Sequence, residues 1–245
     1  AGLAGPRRAA VGGMRDFVLG VKLMDGEGRV HRFGGEVMKN VAGFDVSRLI
    51  AGSLGTLGLI LEVSLKVLPV PPGDASLRFE MPQDKALEAL NRWAGQPLPL
   101  VASCWHDGVM TLRLCGAQAA VSAACTRLGG EAIGEPDSLA FWQGLREQSA
   151  EFFAGDAALW RLSVPSVSPP LDLPGNTLIE WGGAQRWLRG DVDPLRIREL
   201  ATRAGGHATL FRGGDKAAGV FSPLQPALME VHRRLKQSFD PYGVF

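Results

Sequence analysis

The chain has 245 residues, 46% hydrophobic and 21% charged, enough to bury a sizeable core as one large or two small domains. A formal net charge of +1 gives neither a basic surface for nucleic acid nor an acidic tract. No apolar run reaches the roughly twenty residues that a bilayer crossing takes, and the first residues lack a charged-then-apolar signal pattern.

From the start of the chain, Phe17, Leu19, Val21 and Leu23 alternate with Val18, Gly20, Lys22 and Met24, which predicts a strand. Asp25-Gly26-Glu27-Gly28 turns it, and residues 29–33 return as the hairpin partner. Residues 46–51 predict a short helix with Asp45 as N-cap, and Asn40 reads as part of a turn. Glycines at three-residue spacing follow, Gly52, Gly55 and Gly58, and then a strand over 59–67. Its two faces carry Leu59, Leu61, Val63, Leu65 and Val67 against Ile60, Glu62, Ser64 and Lys66. Pro69, Pro71, Pro72 and Gly73 read as a linker, so the expected domains are 1–70 and 75–245.

The second domain begins with a strand over 75–80 and a helix over 83–94 that buries Ala86, Leu87, Leu90 and Trp93. Residues 100–105 and 109–115 form a hairpin turned at His106-Asp107-Gly108. A helix over 117–128 stripes Val121, Ala124, Cys125 and Leu128, and another from Ser138 to Phe153 buries Leu139, Trp142 and Leu145. Strands recur near 158–164, 177–182 and 186–190. Asp193 and Pro194 open the next helix, a strand follows over 207–212, and Ser222 with Pro223 caps the last helix. Two strand-helix-strand series predict an α+β fold with a ferredoxin-like antiparallel sheet covered by helices. The sequence shows no repeat.

Three cysteines, Cys104, Cys115 and Cys125, have no metal-ligand or iron–sulfur spacing and read as small core residues of a reducing compartment. His31, His106, His207 and His232 stand apart from one another, with no pair at metal-site spacing, and read as surface or turn residues. Trp105, Trp160, Trp181 and Trp187 read as core packing. Arg161 and Arg212 lie in strands amid apolar residues. Either can grip a carboxylate with two parallel hydrogen bonds, reach out to solvent, or pair with Glu180. Arg15 and Asp16 can form a local surface pair.

Glycines at 52, 55 and 58 remove the Cβ atoms that would keep a flat polar ligand from the main chain, although they also serve plain turns. The longer string Lys39–Gly58 carries more information. With Gly5-Pro6-Arg7-Arg8, Val11–Gly20, Trp160–Pro165, Glu180–Gly183 and Phe239–Phe245, it resembles the flavoenzymes typified by vanillyl-alcohol oxidase and p-cresol methylhydroxylase. Within that family the chain is similar to the FAD-binding subunits of bacterial glycolate oxidases.

The resemblance implies the second half of a PCMH-type FAD-binding domain followed by a cap domain, with FAD as cofactor. It implies oxidation of a 2-hydroxy acid, glycolate to glyoxylate, with electrons leaving through flavin. The implied partners are a larger flavin subunit and an iron–sulfur subunit, in the cytoplasm and at the inner membrane face through those partners. A self-sufficient oxidase of another hydroxy acid such as D-lactate, or a structural subunit that has lost FAD, are the alternatives.

By resemblance, Gly2, Leu3, Gly5 and Pro6 match a second FAD loop and Gly12 the next turn. Gly52, Gly55, Thr56, Gly58 and Ile60 border the flavin, with Arg7 or Arg8 facing either its phosphates or solvent. A valine at Gly58 is expected to cost flavin retention with little loss of soluble yield. Lys39 and Asn40 lie near the expected cleft, and relatives usually carry Glu where this chain has Leu54. Relatives also carry a preceding subdomain with a pyrophosphate loop and continue with Asn-Pro-Gly-Arg, so both ends read as cut. The clustered histidines of catalytic relatives are missing, so no general base is named; the expectation is that the larger subunit oxidises the substrate.

Overall fold

The computed structural model describes residues 4–36 and 44–245. They divide into two compact units, one of Gly12–Pro69 with Pro223–Phe245 and the other of Gly5–Val11 with Val70–Ser222. Two segments thus fall on the other side of the division expected at 70–75: the opening Gly5–Val11 and the closing helix.

In chain order, α1 (Arg8–Val11) belongs to the second unit, and α2 (Met14–Phe17) opens the first. There β1 (Val18–Met24), β2 (Val30–Gly34), α3 (Val46–Ile50) and β3 (Leu59–Leu65) follow. The strands make an antiparallel sheet of order β2-β1-β3. Asp25 shapes the hairpin by accepting from the amides of Glu27 and Arg29, both at 2.9 Å. Asp45 caps α3, its carboxylate accepting from the Arg48 amide. Val21, Leu23, Ile50 and Leu57 form the small core. The apolar residues of β3 stay exposed on both faces, because among the described residues β3 is an edge strand covered by no helix of its own unit.

The second unit continues with β4 (Gly73–Glu80), α4 (Gln83–Ala94), β5 (Leu100–His106), β6 (Val109–Gly116), α5 (Gln118–Leu128), β7 (Glu131–Ile133) and α6 (Glu135–Glu147). Then come β8 (Leu159–Ser163), β9 (Asn176–Glu180), β10 (Gln185–Arg189), α7 (Pro194–Arg203) and β11 (His207–Arg212), before α8 (Pro226–Phe239) returns to the first unit. Among the described residues the sheet has eight antiparallel strands in the order β11-β8-β10-β9-β5-β6-β4-β7. Within each set of four consecutive strands the spatial order is fourth, first, third, second, the ferredoxin-like path, so the unit is that path traced twice and joined between β9 and β5. Where α4 stands between β4 and β5, the second tracing has the irregular segment 164–175 between β8 and β9.

Helices α4, α5 and α7 supply their buried stripes to three clusters, with Leu90 against Met110 and Leu112, Val121 against Leu77 and Leu114, and Ile197 against Trp160 and Leu188. A fully buried leucine or isoleucine here contributes about 1.5–3 kcal/mol. Trp142 and Leu145 of α6 join Phe152 and Phe153 over Cys104 and Trp187.

Several expectations are corrected. The helix predicted over 138–153 begins at Glu135 and stops at Glu147, because Gln148 turns into the left-handed region at φ 56°. Leu139 on it is exposed. Ser222 does not cap a helix: its hydroxyl bonds both the amide and the carbonyl of Ala208, and α8 starts at Pro226 after Gln225. Gly73 lies in β4 and not in a linker.

Candidate functional site

The loop after α3 is built by alternating constraint and freedom. Ile50 is buried at the end of α3, and the Ser53 amide donates to its carbonyl at 3.1 Å. Gly52 and Gly55 adopt φ of 95° and 79°, and Leu54 is forced to 56° between them. The amide and hydroxyl of Thr56 both donate to the Ser53 carbonyl, at 3.1 and 2.7 Å, so the hydroxyl is committed within the turn. Leu57 then plugs into the core.

The three glycines are not equivalent. A Cβ at Gly52 or Gly55 would meet nothing within 4 Å, so both positions open onto free space. At Gly58, with φ 151°, it would lie 2.5 Å from the Met24 carbonyl oxygen and against the Leu23 side chain. Gly58 is therefore required by β1 itself, and the expectation that a valine there would spare soluble yield does not survive. Ile60 follows in β3, half exposed and paired with Leu23.

Of the other candidates named from the sequence, Gly2, Leu3, Lys39 and Asn40 lie outside the described residues. Gly12 sits in the same unit as the loop at φ 96°, beside Asp16, whose carboxylate accepts from the Gly13 amide at 2.8 Å. Asp16 is thus engaged with the main chain and not with Arg15. Gly5 and Pro6 belong to the second unit. The Gly5 carbonyl accepts from Trp181 Nε1 at 3.2 Å, and Pro6 lines a cavity of about 300 Å³ with Leu90, Trp93, Leu100 and Trp181. Arg8 stacks its guanidinium 4.6 Å from the Trp181 ring.

In the same unit Arg161 lies 5.6 Å from the Phe211 ring, and burial, then the like charge of Arg8, lowers its pKa. Arg212 donates to the Phe153 carbonyl and is tied into the core edge. Neither arginine makes the pair with Glu180 that was open from the sequence. Glu180 instead accepts from Trp187 Nε1 at 2.7 Å and Gln185 Nε2 at 3.0 Å, and burial pushes its carboxyl up to about 7 against those two bonds. His31 sits 2.6 Å from Asp25, and His106 bonds Asn176 at 3.0 Å. Among the described residues no three His, Cys, Asp or Glu side chains converge as a metal site.

Sequence reasoning named Glu180 only as a partner for an arginine and missed its burial beside Trp187 and Gln185, and it missed the pair Lys236–Asp240. Glu180 was signalled by a carboxylate closing the apolar run Leu178-Ile179, and the pair by its four-residue spacing at a helix end.

No family model matches the chain. Glycolate oxidase subunit GlcE of Escherichia coli (strain K12) is 49% identical over 244 residues, covering 100% of this chain and 68% of that subunit. The chain belongs to the GlcE family of glycolate oxidase subunits. Two solved structures share the fold of this GlcE-family chain at low identity. An alkyldihydroxyacetonephosphate synthase has a TM-score of 0.60 and 14% identity, over 98% of this chain and 55% of the synthase. A p-cresol methylhydroxylase with substrate bound has a TM-score of 0.52 and 12% identity, over 92% of this chain and 63% of that enzyme. The chain thus spans between half and two thirds of these structures, and its α+β fold is of the p-cresol methylhydroxylase type.

Proposed function

We propose that this GlcE-family chain is the FAD-holding subunit of a glycolate oxidase that converts a 2-hydroxy acid, glycolate, to the 2-oxo acid glyoxylate. The observation that carries the reading is the 49% identity to GlcE along the whole chain. The loop supports it, because Gly52 and Gly55 leave main chain uncovered where any side chain would stand. When bound, FAD supplies the acceptor for the hydride that leaves the substrate. The chain's own contribution is to present main-chain donors and acceptors between Ser53 and Ile60, with Gly12 from the same unit. Arg161 is the residue proposed for the substrate carboxylate, since a guanidinium can meet both oxygens at once. Arg212, which donates to the Phe153 carbonyl, is proposed for the same role.

The word subunit in the relative's name supports an assembly. Its other members are proposed to be a larger flavin subunit and an iron–sulfur subunit that takes the electrons on. No helix among the described residues is long and apolar enough to cross a membrane, so attachment to the inner membrane face is assigned to those partners.

The test is the absorption spectrum of the full-length protein, purified alone and with its partner subunits, before and after glycolate. Flavin absorbance in the isolated protein, bleached by glycolate in the assembled complex, supports the reading. A colourless protein that still assembles would make it a structural subunit. Turnover of D-lactate without partners would make it a self-sufficient oxidase.

A further inference from the structure

We infer that Lys236 is a positioning residue for the proposed flavin loop: its ammonium pins the Thr56 carbonyl and so fixes the Ser53–Gly58 main chain without entering the space at Gly52 and Gly55. The inference rests on the FAD reading above. Three acceptors surround Lys236 Nζ: the Thr56 carbonyl at 2.8 Å, the Phe245 carbonyl at 2.7 Å and the Asp240 carboxylate. A lysine that merely complements the negative end of its helix would stay on the last helical carbonyls. All three acceptors lie outside α8, Asp240 at its C-cap, and one is 180 positions away in sequence.

The anchor is itself held. Asp240 is buried and accepts from the amides of Val244 and Phe245, both at 2.8 Å. Burial works to raise its pKa, and the Lys236 ammonium with those amides outweighs burial, leaving the carboxyl at about 2. The β1–β2 turn makes room for it. The Gly26 amide donates to the Phe239 carbonyl at 2.8 Å, and a Cβ at Gly26 would stand 2.1 Å from an Asp240 oxygen.

The loop is therefore fastened at Ile50, at Leu57 and at the Thr56 carbonyl, while the Thr56 amide and hydroxyl close the turn internally. None of these fastenings occupies the space above Gly52 and Gly55. A backbone surface held in shape before its ligand arrives spares the ligand the ordering cost. This gives Lys236 a role that its position on a solvent-facing helix does not reveal.

The experiment compares wild type, K236M and K236R as full-length proteins by hydrogen exchange and FAD titration. K236M keeps the length of the side chain without its charge or donors, and K236R keeps both. In K236M, amides of 53–58 are expected to exchange about tenfold faster and FAD to bind about tenfold more weakly, with β1 amides unchanged and K236R close to wild type. Equal loop exchange, or equal FAD affinity, in wild type and K236M overturns the positioning role alone. So does faster exchange throughout β1, which would mark general destabilisation. A wild-type protein that takes up no FAD overturns the cofactor reading and this role with it.

Discussion

Replacing Glu180 by Gln tests the buried carboxyl of the second unit. In the folded chain its pKa lies at about 7, against an ordinary 4.5, because burial disfavours the anion more than Trp187 and Gln185 stabilise it. Between those values the unfolded chain has released the proton and the folded chain still holds it, so stability falls as pH rises. The contribution is fully present below about pH 4.5 and lost as pH rises through 7. At about 1.4 kcal/mol per pH unit the loss is about 3 kcal/mol. Glutamine keeps a carbonyl for both donors and carries no charge, so E180Q removes the slope.

All six tryptophans lie between residues 93 and 187, within the second unit, so their fluorescence during urea unfolding reports that unit. The expected outcome is a wild-type stability about 3 kcal/mol lower at pH 8 than at pH 4.5, relative to E180Q over the same range. Other titrating groups are common to both proteins and cancel. Parallel pH curves for the two proteins would refute the reasoning.

Two further substitutions probe the remaining constraints. G58V should lose about 2–6 kcal/mol in the first unit, from φ strain and overlap with the Met24 carbonyl, read as a sharp fall in soluble yield and in the unfolding midpoint by circular dichroism. Arg186 is fully buried and donates to the carbonyls of Ser168, Pro169 and Gly183. R186M strands those acceptors and should cost about 3–5 kcal/mol by tryptophan-monitored unfolding; a loss below about 1 kcal/mol would show that water takes over the guanidinium's bonds.

What the sequence disclosed followed periodicity and local chemistry. The β1–β2 hairpin, the Asp45 cap, helix α4 and, apart from the short strand β7, the order of strands and helices in the second unit are all written in spacings of two, three and four residues. What escaped depends on distance in space. Nothing in Gly52, Gly55 and Gly58 as letters tells that Met24 closes over the last and open space over the first two. The joining of α8 to the first unit rests on Phe33 meeting Phe239 and on Lys236 reaching Thr56, contacts that cross most of the chain. The boundary of α6 was lost because Gln148 bends the backbone with no glycine or proline to announce it.

The twice-traced path of the second unit explains why no repeat can be read in its residues. Between the two halves the strands pair at three positions, Cys104 with Glu180, Trp105 with Ile179 and His106 with Leu178, and Asn91 and Ser103 bond across to Ser166 and Gly182. Arg186 ties segment 168–169 down between β8 and β9, the position that α4 holds between β4 and β5 in the sister half. The likeness of the two halves is carried by the route of the backbone and not by the letters.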